Sequence, residues 1–383
     1  MRVKRVELRR FRNYAEAEFE PDAGITVLCG RNAQGKTNLI EAIVLCSVGR
    51  SHRTKHDREL IQWNESKAVV GVETENRDGT HDVKIVLSQG GGRGAKQALI
   101  GSSPAARIGE LMGHVPSVLF SPEDLGLVRE GPGERRRFID MMISQIRPQY
   151  FYALQQYSRA LKQRNGLLRE LAWKGIEEGK AEGLLEPWDE MVAEAGGRIV
   201  RGRKWFVKRL GEVAREAHGH LSTGDEALGV RYVCSWGGMR SDGDGDGGGD
   251  GDGETDVGMA LLDGLRQGRG RDLAARSTGV GPHRDDIELT LNRKEARVYA
   301  SQGQQRTAAI ALKLAGLSTL KDELGETPVL LLDDVMSELD AERRRRLLTW
   351  MEGVQTIITC TDADDVRGAS VGKFCAVRGG EIG

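Results

Sequence analysis

No apolar run in this 383-residue chain approaches the roughly 20 residues a helix needs to cross a bilayer. The opening residues, Met-Arg-Val-Lys-Arg-Val-Glu, alternate as a strand does and lack the apolar centre of a secretory leader, so a soluble, cytoplasmic protein is expected. Cysteine is scarce: five residues, at 29, 46, 234, 360 and 375, form neither a C-x-x-C pair nor an even framework, and reduced core thiols are expected. The interval from Thr37 to Ser301 lacks sustained heptads and is interrupted by Pro148 and Pro187, which excludes long coiled-coil arms. A strong net charge is missing too, the formal total being −1.

What the chain does hold is organised around Cys29 to Asn38, which contains G-x-x-x-x-G-K-T without insertion. The apolar run Ile25 to Leu28 precedes it, and Leu39, Ile40, Ile43 and Val44 follow at the spacing of one helical face. The pattern predicts strand, glycine loop, helix. Such a loop turns successive backbone N–H groups inward onto phosphate oxygens, and the helix N-terminus adds its partial positive charge. Gly30, Arg31, Asn32, Ala33, Gln34, Gly35, Lys36 and Thr37 are therefore the candidate nucleotide-binding residues, with Lys36 reaching the β- and γ-phosphates and Thr37 placing its hydroxyl on Mg²⁺. A chance match among 51 glycines is the competing reading, and the flanking strand and helix argue against it.

Length predicts about two domains, or one with large insertions. Residues 1 to 10 read as a half-buried strand, Ala15 to Phe19 as a second, and Pro21 to Gly24 as the turn into the loop strand. The basic stretch Gly49 to His56 has no apolar period and is either a solvated loop or a contact for nucleotide or nucleic acid. Val69 to Glu73 and Val83 to Leu87 form a hairpin through Asn76 to Gly79. From Gly133 the pattern is helical: Phe138, Met141, Met142 and Ile146 lie on one face until Arg147-Pro148, Tyr150 to Leu161 line the next helix, and Trp188 to Val213 mark a longer third. Arg198, Arg201, Arg203, Lys204, Lys208 and Arg209 give that third helix a basic face, either solvated or turned to nucleic acid.

A strand at Val230 to Trp236 leads into Ser241 to Asp256, which carries seven acids and no base and reads as a disordered insertion. Asp242, Asp244, Asp246 and Gly247 match the start of a calcium loop, but Gly253 stands at the twelfth position, where a glutamate is required. His218 and His220 are likewise a weak metal pair. Without the insertion 50 acids face 56 bases, a mildly basic balance that permits an anionic partner.

Ile287, Leu289 and Leu291 alternate as a strand, Asn292 to Glu295 turns, and Val298-Tyr299 returns. Ser301-Gln302-Gly303-Gln304-Gln305 opens a helix with apolar positions at Ile310, Leu314, Leu317 and Leu320. Val329 to Asp334 is a parallel-type apolar strand ending in two carboxylates. Asp333 occupies the place of a Walker B metal ligand, and Asp334 is placed to orient or deprotonate an attacking water; the competing reading is a turn or cap. Arg343 to Arg346 span all sides of the next helix, so some must face solvent. Thr356 to Cys360 is a last core strand.

These motifs, in this order, resemble an ABC-type ATPase head and, more narrowly, the RecF family of bacterial recombination mediators. "FRNY" (Phe11 to Tyr14), "GRNAQGKTNLIEAI" (Gly30 to Ile43), "GRSHRT" (Gly49 to Thr54) and "FSPEDL" (Phe120 to Leu125) carry the resemblance, with "GPHRDD" (Gly281 to Asp286), "SQGQQRT" (Ser301 to Thr307) and "LLLDDVMSELD" (Leu330 to Asp340). It implies an α/β ABC-type P-loop ATPase head with a mixed sheet and an inserted helical arm. The expected segments are 1–120 (first ATPase lobe), 121–225 (helical arm), 226–300 (strand region with the disordered insertion 241–256) and 301–383 (signature helix, Walker B strand and the rest of the core). ATP with Mg²⁺ is the implied cofactor, Lys36 and Asp334 the catalytic residues, and Thr37 and Asp333 the metal ligands. Ser301, Gly303 and Gln304 would act on ATP held by a second subunit, and Ser337 to Asp340 resembles the loop that links the two sites.

The resemblance further implies an ATP-dependent homodimer that binds DNA at single-strand/double-strand junctions, works with RecR and helps load RecA at gaps. Asp334 is one methylene shorter than the usual catalytic glutamate, and no histidine stands near Thr359 to Asp362, so slow hydrolysis is expected. The alternatives are a nucleotide-switched structural scaffold and the ATPase subunit of a transporter. The latter would need a membrane partner and a signature closer to the phosphate loop.

Overall fold

The computed structural model describes residues 1–90, 95–176, 178–222, 226–236 and 253–383, and divides them into two compact units. The first comprises Met1–Leu125, Val213–Ala227 and Ser301–Gly383. Its strands before the helical segment are β1 (Arg2–Phe11), β2 (Tyr14–Phe19), β3 (Ile25–Cys29), β4 (Lys67–Asn76), β5 (Gly79–Ser88), β6 (Lys96–Ile100), β7 (Ser103–Pro104) and β8 (Ser117–Phe120), with helix α1 (Lys36–Val48) between β3 and β4. β1, β2 and β4 to β7 form an antiparallel sheet of order β2-β1-β4-β5-β6-β7. Val3, Val6, Leu8 and Phe11 of β1 all point inward, although Val3 and Val6 are three apart, because a register shift between Val3 and Arg5 restores the alternation.

The second unit, Gly126–Glu212 and Leu228–Ala300, begins with α2 (Gly126–Arg129), α3 (Pro132–Ile146), α4 (Pro148–Trp173) and the long α5 (Glu178–Leu221), whose last residues from Val213 belong to the first unit. β9 (Leu228–Val233), α6 (Gly253–Gln267), α7 (Arg269–Ala275), β10 (Asp286–Leu291), β11 (Lys294–Glu295) and α8 (Ala296–Tyr299) follow, the strands pairing in the order β11-β10-β9. The remaining elements are α9 (Gln302–Leu324), β12 (Val329–Asp333), α10 (Ala341–Trp350), β13 (Thr356–Cys360), β14 (Val371–Arg378) and β15 (Glu381–Ile382). They complete the second sheet of the first unit, β15-β14-β3-β13-β12-β8, parallel except for the β14–β15 pair. The glycine-loop strand β3 thus has C-terminal neighbours on both sides, β13 and β14. Contacts of α1 with β4 and β5 on one side and β8, β12 and β13 on the other explain why it is buried almost all round.

Several expectations change. Pro187 does not end a helix: it lies inside α5 on the exposed face, where water can solvate the carbonyl that loses its N–H partner. Val298-Tyr299 is not the returning strand but the end of α8; the return is β11, reached through Asn292 and Arg293, both with positive φ (50° and 65°), a two-residue turn that closes the hairpin earlier. Of the acidic stretch 241–256, residues 241–252, including the calcium-loop match, lie outside the described residues. Residues 253–256 form the first turn of α6. The segments read as 121–225 and 226–300 fall mostly within one compact unit, and residues 213–227 group with the ATPase core.

The second unit has a charged interior. Arg164, with no exposed surface, donates to Asp189 (2.5 Å), Asp272 (2.6 Å) and Thr278 (2.8 Å), and Arg269 also pairs with Asp189. Arg203, part of the expected basic face, is buried instead, donating two bonds of 2.8 Å to Asp140. Of the four consecutive arginines in α10, only Arg345 is well exposed; Arg344 and Arg346 bond carbonyls of Leu339, His220 and Ser222.

Candidate functional site

The loop between β3 and α1 delivers Gly35 as the N-cap residue of α1, with φ of 119°. A Cβ there would stand 2.8 Å from Asn13 Nδ2 and 2.9 Å from the Tyr14 hydroxyl, so both backbone conformation and space require glycine. No side chain caps α1 and no acid stands in its first turn, which leaves its first N–H groups and their partial positive charge directed at an anion. Lys36 is almost wholly buried, and its ammonium donates to the carbonyls of Gly30 (2.6 Å) and Arg31 (3.0 Å), folded back along the loop. Arg31, Asn32 and Ala33 are exposed, Ala33 at a positive φ of 63°.

The parallel register opposes Asp333 to Thr359, one strand from the loop strand. Asp333 Oδ1 accepts from the hydroxyls of Thr37 (2.9 Å) and Thr359 (2.7 Å). Burial raises the Asp333 pKa above the ordinary aspartate value, opposed by those two hydroxyls. Both bonds fall on one carboxylate oxygen, and hydroxyl and carboxylate oxygens are the hard donors Mg²⁺ takes. Asp334 follows with φ of 55°, held by its N–H donating to Thr359 Oγ1 (2.9 Å) and by Ser337 donating to its carbonyl (3.0 Å). Its Oδ1 is buried with no hydrogen-bond partner among the described residues. An unpaired buried carboxylate oxygen beside the candidate metal ligand is a costly arrangement in isolation and fits an acceptor awaiting a ligand or water.

Three supports were not assigned a role from the sequence. Asn13 donates to the Gln34 carbonyl (2.9 Å) and accepts from Asn38 (2.8 Å), and Tyr14 donates to the Gly35 carbonyl (3.1 Å). Gly379 and Gly380, in the turn between β14 and β15, donate backbone N–H groups to Gln34 Oε1 (2.7 Å) and Gln34 O (3.0 Å). The C-terminal turn therefore grips the phosphate loop. A Gly380 Cβ would lie 2.5 Å from the Asn13 carbonyl, at φ of 87°. Gly380→Val is accordingly expected to weaken ATP binding about tenfold, or about 1.4 kcal/mol, at the lower end of the roughly 1–3 kcal/mol such backbone strain costs. Titration with a fluorescent ATP analogue checks this, with Gly383→Ala, where a Cβ meets nothing within 4 Å, as the control.

The third support is Glu41, fully buried on α1. Burial opposes its charge, but the paired bonds from Arg12 (2.7 and 2.8 Å), the Ser51 hydroxyl (2.5 Å) and Arg53 (3.4 Å) together hold its pKa below the usual value. This seats the Gly49 to Thr54 loop against α1. Next to it, burial pulls His52 down to about 4, so it is neutral near pH 7.

Ser301, Gly303 and Gln304 lie at the start of α9. Ser301 caps it in a reciprocal box, its hydroxyl accepting from Gln304 N (3.3 Å) and its N–H donating to Gln304 Oε1 (2.7 Å), while Gln304 Nε2 donates to Glu226 (2.7 Å). Gln304 is thus committed to the cap and to Glu226, whereas Ser301 is exposed and keeps its hydroxyl proton to donate. These bonds tie Ser301 and Gln304 to each other and to Glu226 rather than to the phosphate loop of the same chain. Arg306 joins α9 to the Ser337 to Asp340 segment through the Glu338 carbonyl (2.6 Å) and carboxylate (3.0 Å). Among the described residues no cluster of three or more His, Cys, Asp or Glu could hold a metal, and buried His218 has Glu226 as its nearest acid at 3.9 Å. All five cysteines are free.

The family model described as the RecF/RecN/SMC N-terminal domain matches residues 2–378. The DNA replication and repair protein RecF of Acetivibrio thermocellus is 40% identical over 99% of this chain and 98% of its own length. The chain belongs to the RecF family. Halothermothrix orenii RecF is 41% identical over 94% of this chain and 92% of its own. Among solved structures, the recombination mediator RecF with ATP, in the RecFOR pathway, superposes with a TM-score of 0.87 at 36% identity, covering 100% of this chain and 96% of that one. The Smc head of Pyrococcus yayanosii shares the fold at 14% identity (TM-score 0.54, covering 99% and 96%). The RecF-family chain therefore has the ABC-type ATPase head fold, with a mixed sheet and a largely helical second unit. No described helix is long and apolar enough to cross a membrane.

Proposed function

We propose that this chain is an ATP-dependent, DNA-binding recombination mediator that dimerises on ATP, engages DNA where single strand meets duplex, and works with RecR to load RecA at gaps in repair and replication restart. The observation that carries the reading is the convergence of the uncapped α1 N-terminus, Lys36, and the Thr37–Asp333–Thr359 cluster at one strand end, in a chain similar to a RecF solved with ATP. Gly30 to Thr37 would hold the phosphates, and Thr37 and Asp333 the Mg²⁺. The bound metal would neutralise phosphate charge. Lys36 leaves the loop carbonyls for phosphate oxygens, and Asp334 takes or orients the proton of the attacking water at its unpaired Oδ1. Ser301 and Gly303 contribute to the partner subunit's ATP, consistent with Ser301 bonding Gln304 rather than its own phosphate loop. Hydrolysis is slow, because Asp334 is shorter than glutamate and held in a left-handed conformation.

Sedimentation with and without ATP·Mg²⁺, alone and mixed with a gapped duplex, tests the reading. ATP is expected to convert monomer to dimer and the dimer to bind the duplex. A chain that stays monomeric and ignores DNA in ATP sinks it. The absence of a histidine near Thr359 to Asp362 also favours a second reading, a nucleotide-switched scaffold, which predicts that Asp334→Ala leaves DNA binding and function intact while Lys36→Ala abolishes both.

A further inference from the structure

Trp63 is 90% exposed, in the loop between Leu60 and β4. The segment that carries it is held by its neighbours. Leu60 and Ile61 are buried, Ile61 pairs with Phe11 as an isolated bridge, Arg12 N donates to the Leu60 carbonyl (2.8 Å), and Gln62 N donates to the Arg10 carbonyl (2.8 Å). Gln89 adds a bond to the Glu65 carbonyl (2.7 Å). The backbone therefore holds the ring outward.

The charges along the same stretch of chain are unbalanced in one direction. Two of the loop's three acids are paired with cations, Asp57 with Lys96 (3.0 Å) and Glu65 with Arg10 (3.1 Å), while Glu59 keeps its charge and accepts from the Thr54 hydroxyl (2.5 Å). Lys55, Arg58 and Lys67 are exposed and make no ion pair among the described residues. The outer face of the antiparallel sheet is different, since Arg5 meets Glu7, Glu18 and Glu73, Arg9 meets Glu16, and Lys84 meets Asp82. Unpaired cations and an outward aromatic ring thus lie along residues 55–67, the last of which opens β4, rather than across the sheet's outer face.

Cations without partners take phosphates, and a rigid exposed indole takes the face of an unstacked base. We propose that Lys55, Arg58, Lys67 and Trp63 form a binding surface for nucleic acid carrying an unpaired base, with the cations on the backbone and Trp63 stacked on that base. The proposal rests on the DNA-binding reading above and assigns residues to it. The same turn that seats this loop, Arg10 to Asn13, holds Gln34 and Gly35 of the phosphate loop through Asn13 and Tyr14, so loop and nucleotide site share one support.

Fluorescence anisotropy in ATP·Mg²⁺ with two labelled probes, a blunt duplex and the same duplex with an oligothymidine overhang, tests this. Trp63→Ala is expected to weaken overhang binding about tenfold and leave the blunt duplex unchanged, while Trp63→Phe stays within about twofold of wild type. The Lys55→Ala/Arg58→Ala double variant is expected to weaken both probes and to lower the blunt-duplex slope of log K against log salt by roughly 1.8, two phosphate contacts' worth. Wild-type overhang affinity in Trp63→Ala, or loss of its ATP-driven dimer in sedimentation, would overturn the proposal, the latter making Trp63 a subunit contact. If the wild type binds neither probe, the DNA-binding reading itself fails.

Discussion

Lys36→Ala is expected to lower ATP affinity at least about 30-fold and to abolish ATP-driven dimerisation, while the chain remains folded. The first expectation follows from losing a charged partner of the phosphates in a largely buried position, which costs about 2–5 kcal/mol or more. The second follows from the first if ATP bridges the subunits. Stability should change little. The ammonium's present partners are the Gly30 and Arg31 carbonyls on a partly exposed loop, which water can rehydrate, so the loss is about 1–2 kcal/mol. Calorimetric ATP titration beside thermal unfolding separates the two effects. Undiminished ATP affinity would remove Lys36 from the site.

The largest stability effect is expected from Arg164→Ala in the second unit, at about 3–5 kcal/mol. Arg164 and Asp189 have no exposed side-chain surface and Asp272 only 4%, so removing the guanidinium leaves buried carboxylates short of a counter-charge. Asp189 keeps Arg269, whereas Asp272 keeps only hydrogen bonds such as that from Gly279 N, so most of the penalty falls on Asp272. Pairing Arg164→Ala with Asp272→Asn should therefore recover part of the loss, a coupling that denaturant unfolding of the two single variants and the double variant measures. Additive losses would show that the pair does not act as a unit.

These two residues also mark how far a linear reading reaches. The glycine loop before Lys36 and Thr37, the strand end at Asp333 and the helix start at Ser301 were legible because each is a local pattern, whereas the reciprocal cap between Ser301 and Gln304 emerged only in the structure. The strand, loop and helix around the phosphate site followed from apolar spacing for the same reason. Arg164 was not legible, because it occupies a core position of an amphipathic helix while its partners stand 25 and 108 residues away. Arg203 was read as part of a basic face for the same reason.

Folding alone decided that Thr359 meets Asp333, that Asn13, Tyr14 and the Gly379–Gly380 turn hold the phosphate loop, and that Lys55, Arg58 and Lys67 lack ion-pair partners among the described residues while Arg5, Arg9 and Lys84 of the sheet have them. Each depends on which strands become neighbours and in what register. Parallel pairing across hundreds of residues is set by burying whole apolar strands, not by any short pattern of residues along the chain.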